Sequence, residues 1–172
     1  MTGQSGATVA LTPAEMTTRF IAYVIDAVVL AIVYIFLISA ILVAALIQGE
    51  GGLVALLSRS IIFAVVSFLY FGWGWTSWRA TPGQRVMGLL TVNADGSTMN
   101  WNQSAMRWAY LFGPSAVASL FSNSQQVGSL LSLIITVALL VYYFYLYRTA
   151  RDDPKHQGFH DKQSNTIVVK AS

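Results

Sequence analysis

The residues able to do chemistry are few, and the first of them sit inside apolar sequence. In "RFIAYVID", Arg19 and Asp26 stand seven positions apart. Seven steps of about 100° nearly complete two helical turns, so both side chains emerge on one face, roughly 10 Å apart along the axis. That separation excludes a direct ion pair. Arg19 belongs at head-group level and Asp26 two turns deeper, where an ionised carboxylate costs roughly 2.5–3.5 kcal/mol at the helix centre and less near the interface. Such a group must face other helices. An intramembrane carboxylate is a candidate carrier of protons or cations; the plainer reading is polar glue between helices. A polar stripe at Ser129, Ser132 and Thr136 continues at helical spacing to Tyr143 and Tyr147. Matching depths predict that the Tyr143 hydroxyl donates to Asp26, with Tyr142 and Thr76 as alternatives.

Other constellations carry less. His156 and His160 are four apart, a spacing that suits a metal on a helix. Pro154 and Gly158 interrupt a helix there, so "DDPKHQGFHD" reads as a solvated, charge-rich linker. No nucleophile motif of the G-x-S-x-G type occurs, and "TPGQRVMG" lacks the lysine of a phosphate-binding loop. "NQS" (102–104) has a glycosylation pattern but falls in an expected cytoplasmic loop. The sequence contains no cysteine, which excludes disulfides, zinc-thiolate sites and thiol catalysis. Scattered basic residues suit topology and anionic lipid better than nucleic acid. The expectation is a protein that is not an enzyme, with no cofactor and no metal.

The elements that must position these groups are membrane helices. The chain has 172 residues, 55% hydrophobic and 10% charged, with a mean hydropathy of +0.59, against about 25% charged residues in an ordinary soluble domain. A soluble surface would need more charge than its ten Lys and Arg and seven Asp and Glu supply. About 20 apolar residues cross a bilayer, and spans are expected at about 20–47, 57–78, 106–122 and 127–147. The first run is too long for the 7–15-residue apolar core of a signal peptide. "QGEGG" separates the first two spans, and "FGWGWTSW" and "YYFYLY" supply interfacial aromatics. The third run is short and contains Gly113 and Pro114, so it is expected kinked or partly interfacial, anchored by Trp101, Arg107 and Trp108.

Counting basic residues decides its topology, because cytoplasmic loops hold the excess. Four spans with both termini inside leave only Arg59 outside, nine against one. Three spans give four inside and six outside. The expected fold class is therefore an all-α membrane protein: a four-helix transmembrane bundle with a small cytosolic β-hairpin or β-sheet appendage. In the cytosolic loop 79–103, "VMGLLTVN", the turn "ADGS" and "TMNW" predict a hairpin. "NTIVVK" in the tail 148–172 has the composition of a third strand. Residues 1–17 are expected to be a disordered tail, and 1–172 a single integral membrane domain.

Three of these features together resemble the RDD family of small membrane proteins: Arg19 and Asp26 in the first span, "TPGQRVMGL" after the second, and "FHDKQSNTIVV" after the last. The family is named for one arginine and two aspartates, and the similarity runs over 19–169. It implies that the trio is Arg19, Asp26 and Asp161, and that the loop motif is Thr81, Pro82, Gly83 and Gly88. The literal "RDD" at 151–153 is coincidental. Gln84 replaces a residue that is usually basic, which argues against an anion-gripping loop, and "QSN" departs from the small residues common after the second aspartate. Arg19 and Asp161 would both lie at the cytoplasmic interface, where partial desolvation strengthens a bidentate pair; they are expected to meet, with Asp161–Arg85 as the alternative. The other reading has Asp161 capping a turn while Arg19 binds lipid phosphate.

The resemblance further implies a multi-pass protein of the cytoplasmic membrane with a transport role. Exchange of monovalent cations for protons, as suggested for some relatives, would use Asp26. Four short spans are a small machine for alternating access, so transport would call for a homo-oligomer. The alternative is a non-catalytic partner or scaffold that docks another membrane protein through its cytosolic loop and tail.

Overall fold

Long apolar runs with few helix breakers become long helices, and a computed structural model of the chain describes them over residues 11–48, 53–122 and 128–171. In chain order the elements are α1 (Met16–Gln48), α2 (Leu53–Ser77), α3 (Pro82–Val86), β1 (Leu89–Asn93), α4 (Trp101–Ser122), α5 (Ser129–Arg151), α6 (Phe159–Gln163) and β2 (Thr166–Lys170). By length and composition three helices could cross a membrane, over Met16–Ala40, Ser60–Ser77 and Ser129–Arg151. Their outward faces carry large exposed apolar side chains such as Phe20, Phe36, Leu69, Leu130, Leu140 and Phe144, a surface suited to lipid and not to water. At 22 residues, α4 is about 33 Å long, but Asn102, Gln103 and Arg107 dilute its apolar character. The expected fourth span therefore stands on the distribution of charge.

The core of the helical layer joins Leu30 of α1, Phe71 and Trp75 of α2, Leu111 of α4 and Leu146 of α5, with Met99 before α4. Gly72 lets α4 approach α2 closely, since a Cβ there would stand 2.8 Å from the Trp101 ring. Pro114 does not end α4, which continues to Ser122. Proline has no N–H, so the helix bond to the carbonyl four residues earlier, that of Tyr110, is missing. The Tyr142 hydroxyl of α5 donates to that carbonyl at 2.5 Å, and Tyr143 donates to the next one, Leu111 O, at 3.0 Å. Two adjacent tyrosines thus fasten α5 to the helix where its own ladder is interrupted, as an apolar environment requires.

At one end of the bundle α3, β1, α6 and β2 form a cap. β1 and β2 pair antiparallel, with Leu89 opposite Lys170 and Asn93 opposite Thr166. A two-stranded sheet alone is marginal. This one is held by burying Leu89 and Val168 against Ala14 and Ala22, and Val92, Ile167 and Val169 among themselves.

Three expectations are corrected here. The turn after β1 forms at Ala94–Gly96, with Gly96 at φ +85°, but "TMNW" does not return as a strand. It runs into α4, because Asn100 and Gln103 cap each other's backbone N–H at the helix start, at 2.9 and 3.0 Å. β1's partner is instead the C-terminal strand. Second, the disordered tail does not extend to residue 17. Ala14 is fully buried, Pro13 bridges Val169, Ala14 N donates to Val168 O at 3.0 Å, and Thr12 O accepts from Lys170 N at 3.0 Å. Residues 1–10 of that expected tail lie outside the described residues, as do 49–52 of the glycine-rich break and the side chain of Arg59. Third, the linker "DDPKHQGFHD" is not wholly solvated: α6 begins at Phe159, and His160 and Asp161 are buried.

Candidate functional site

Thr81 begins the loop motif by capping α3: its hydroxyl accepts from Gln84 N at 3.2 Å, while Gln84 Oε1 accepts from Thr81 N at 3.0 Å. This reciprocal box needs Gln or Glu three residues after the cap. Gln84 also accepts from the Thr91 hydroxyl at 3.1 Å, tying α3 to β1. Gln84 thus has a structural task of its own.

Asp26 is 1% exposed and receives this turn. Its Oδ2 accepts from the Thr81 hydroxyl at 2.5 Å, and its Oδ1 from Gly83 N at 2.8 Å and the Tyr70 hydroxyl at 2.7 Å. All three neighbours are donors, the arrangement that stabilises an ionised carboxylate. Gly83 makes the approach possible. A Cβ there would lie 2.2 Å from Ala22 O and 2.8 Å from the Asp26 carboxyl carbon. Pro82 opens α3 at its first turn, where a missing N–H is tolerated, and Gly88 supplies a φ of +63° between α3 and β1.

The expected contact between Tyr143 and Asp26 is not made. Tyr143 lies against Ser115 at 2.5 Å and bonds Leu111 O. The actual partner, Tyr70, stands seven residues before the C-terminal Ser77 of α2, so the depth argument that selected Tyr143 applied equally to it.

Asp161 is the second buried carboxylate. Its Oδ2 accepts from Gly158 N at 2.9 Å, closing the first turn of α6, and lies 3.5 Å from Arg19 Nη1. Its Oδ1 accepts from Arg107 Nη1, which also donates to the Thr166 hydroxyl at 2.6 Å. The Arg107 guanidinium lies 5.1 Å from the centre of the Trp75 ring, within cation–π range. Arg19 Nη1 and Nη2 donate to His156 O at 2.6 Å and Val168 O at 2.9 Å, fixing the start of α1 to the turn before α6 and to β2. The two sequence alternatives for Asp161 thus coexist: it pairs with Arg19 and caps a turn. Arg85 is not part of this cluster; it lies over the Trp78 ring at 4.6 Å.

Burial alone would lift the Asp161 pKa, but Arg107, His160 and Arg19 beside it hold it down to about 2. His160 Nε2 is 3.3 Å from Asp161. Burial pushes that imidazole down to about 4, against the pull of the carboxylate, so His160 is neutral at pH 7. Arg107 was missed as a partner because it reads as an interfacial anchor. The available signal was its place six residues after Trp101, at the same end of the bundle as Arg19.

A cavity of about 880 Å³ lies beside this cluster, walled by Arg19, Tyr23, Ala27, Leu30 and Tyr34 of α1, Phe63 and Phe71 of α2, Leu111 of α4, Tyr143 and Leu146 of α5, and His160. Asp26 is not on its wall.

A family model described as the RDD family matches residues 13–165. Comparison with curated proteins and with solved structures gave no match. The matched region runs from the proline that bridges to β2 through both buried carboxylates and their arginines, and on this evidence the chain belongs to the RDD family.

Proposed function

We propose that this RDD-family protein is a four-span protein of the cytoplasmic membrane with both termini inside, and that it serves without catalysis as a scaffold for another membrane protein, presenting its cap as the docking face. The orientation rests on nine basic residues against one. The observation that carries the scaffold reading is the structural engagement of Asp26. Three donors at 2.5–2.8 Å surround it. They engage three of the carboxylate's roughly four lone-pair directions, which leaves little of it for a passing cation or proton. The carboxylate is built to hold α3 against α1.

Transport, by exchange of monovalent cations for protons in a homo-oligomer, is the second reading. It is favoured by the cavity, which has Arg19 on its wall at the cap end and penetrates the helical layer. Reconstituted vesicles separate the two. The scaffold reading expects no cation-dependent proton movement from the folded wild type. Movement that Asp26→Asn abolishes, without loss of folded protein, would replace it with the transport reading.

A further inference from the structure

The cavity lies between two locked helix pairs. α4 and α5 are joined at Tyr110 and Leu111 by the two tyrosines, and α1 and α2 by the Tyr34 hydroxyl on Phe63 O at 2.7 Å. Its wall follows α1 from Met16 to Tyr34, a rise of about 27 Å, close to the whole hydrocarbon thickness of about 30 Å. The two ends differ. Thr17, Arg19, Tyr147 and His160 stand at the cap end; inward the wall is mostly apolar, with Ala27, Leu30, Ala31, Phe63, Phe71 and Leu111, and the hydroxyls of Tyr34, Ser67 and Tyr143 there donate to backbone carbonyls.

The cap end carries uncompensated charge. Arg19 and Arg107 share one carboxylate, Asp161. His160 is neutral at pH 7, and the adjacent Asp153 is matched by Lys162 at 2.6 Å. One positive charge is left over in a buried place, which a membrane protein tolerates only with a counter-charge or access to the interface. Arg19 also has a buried Nε without a hydrogen-bond partner among the described residues, although it is only 7% exposed and lines the cavity.

We propose that this slot binds one anionic phospholipid of the surrounding bilayer, its phosphate set against Arg19 at the cap end and an acyl chain lying along α1 over Ala27 and Ala31. Acyl chain and headgroup match the two ends in polarity, and the negative phosphate answers the excess guanidinium. The small side chains of Ala27 and Ala31, both exposed on the wall and one helical turn apart, leave the room. Occupancy of this slot is independent of whether the protein moves a cargo.

The test is native mass spectrometry of the full chain, stripped of lipid in neutral detergent and titrated with phosphatidylglycerol or phosphatidylcholine. One phosphatidylglycerol per chain should be retained, at least tenfold more tightly than phosphatidylcholine. The double variant Ala27→Trp/Ala31→Trp fills the slot without touching Arg19, Arg107 or Asp161, and should lose that retention at least tenfold. Equal retention of the two lipids by the wild type overturns the proposal without recourse to any variant. So does a folded double variant that keeps phosphatidylglycerol. A wild-type dimer that the double variant splits would assign the slot to a second copy of the chain, and would equally overturn it.

Discussion

Gly83→Ala isolates the join between the first helix and the loop motif. The new Cβ would stand 2.2 Å from Ala22 O, and restoring an ordinary contact of about 3.4 Å means moving α3 away by about 1.2 Å. The Gly83 N–Asp26 bond, 2.8 Å long, would then open to about 4 Å, beyond hydrogen-bond reach. Losing a bond to a charged acceptor costs about 1.5–3 kcal/mol, and forcing extra volume into a packed site costs about 1–3 kcal/mol. Together they give roughly 4 kcal/mol, or a fall of about 10 °C in Tm at this chain length. Thermal unfolding in detergent, followed by tryptophan fluorescence, measures it; the buried Trp75 reports from the helical core beside the Arg107 cluster. Gly88→Ala is the comparison. That position has φ +63° and open space around it, so only the left-handed backbone penalty of about 1–2 kcal/mol applies. If Gly83→Ala melts with or above Gly88→Ala, the close approach of α3 to α1 is not what holds the cap.

Two further outcomes follow from other joins. Tyr142→Phe removes the donor to Tyr110 O and should cost about 1 kcal/mol, but almost nothing in a Pro114→Ala background, where the helix supplies its own N–H; a double-mutant cycle on unfolding free energies reads the coupling, and additive effects would refute it. The cap should also weaken in acid. The unfolded chain protonates His160 near pH 6.5, whereas the folded chain resists until about pH 4, so stability is complete above pH 6.5 and falls by about 3 kcal/mol between pH 6.5 and 4. Asp161 adds a second loss from near pH 3.9 down towards 2. His160→Gln should flatten the first step and leave the second; a variant profile parallel to wild type would refute the assignment.

The sequence made some of this legible and hid the rest for physical reasons. The long apolar helices were readable because twenty uninterrupted hydrocarbon residues have few other uses. "NTIVVK" read as a strand from its β-branched run, and it is β2. Its partner was not readable: alternation marks a strand but says nothing of what lies beside it, and "TMNW" after a good turn looked like the local choice. Asp161 was singled out by the resemblance, and desolvation at a shared interface predicted that it would meet Arg19, as it does. Arg107, which takes the same carboxylate, was hidden because one arginine at a helix mouth reads like any other. Asp26 was placed correctly as facing inward, yet its donors came from a turn and from α2, not from α5. Side-chain depth ranks candidates along an axis and leaves the choice among helices open.

The clasp around Asp161 has a bearing on how the protein is made. Arg19 and Arg107 are synthesised long before the segment that neutralises them, and β2 then closes over both Ala14 and β1. A ribosome that stops before α6 leaves two guanidinium groups without their carboxylate and an unpaired strand edge, although every long helix is already built. The cap can therefore close only after α6 and β2 have emerged, so the helical layer is complete before the contacts that neutralise its arginines exist.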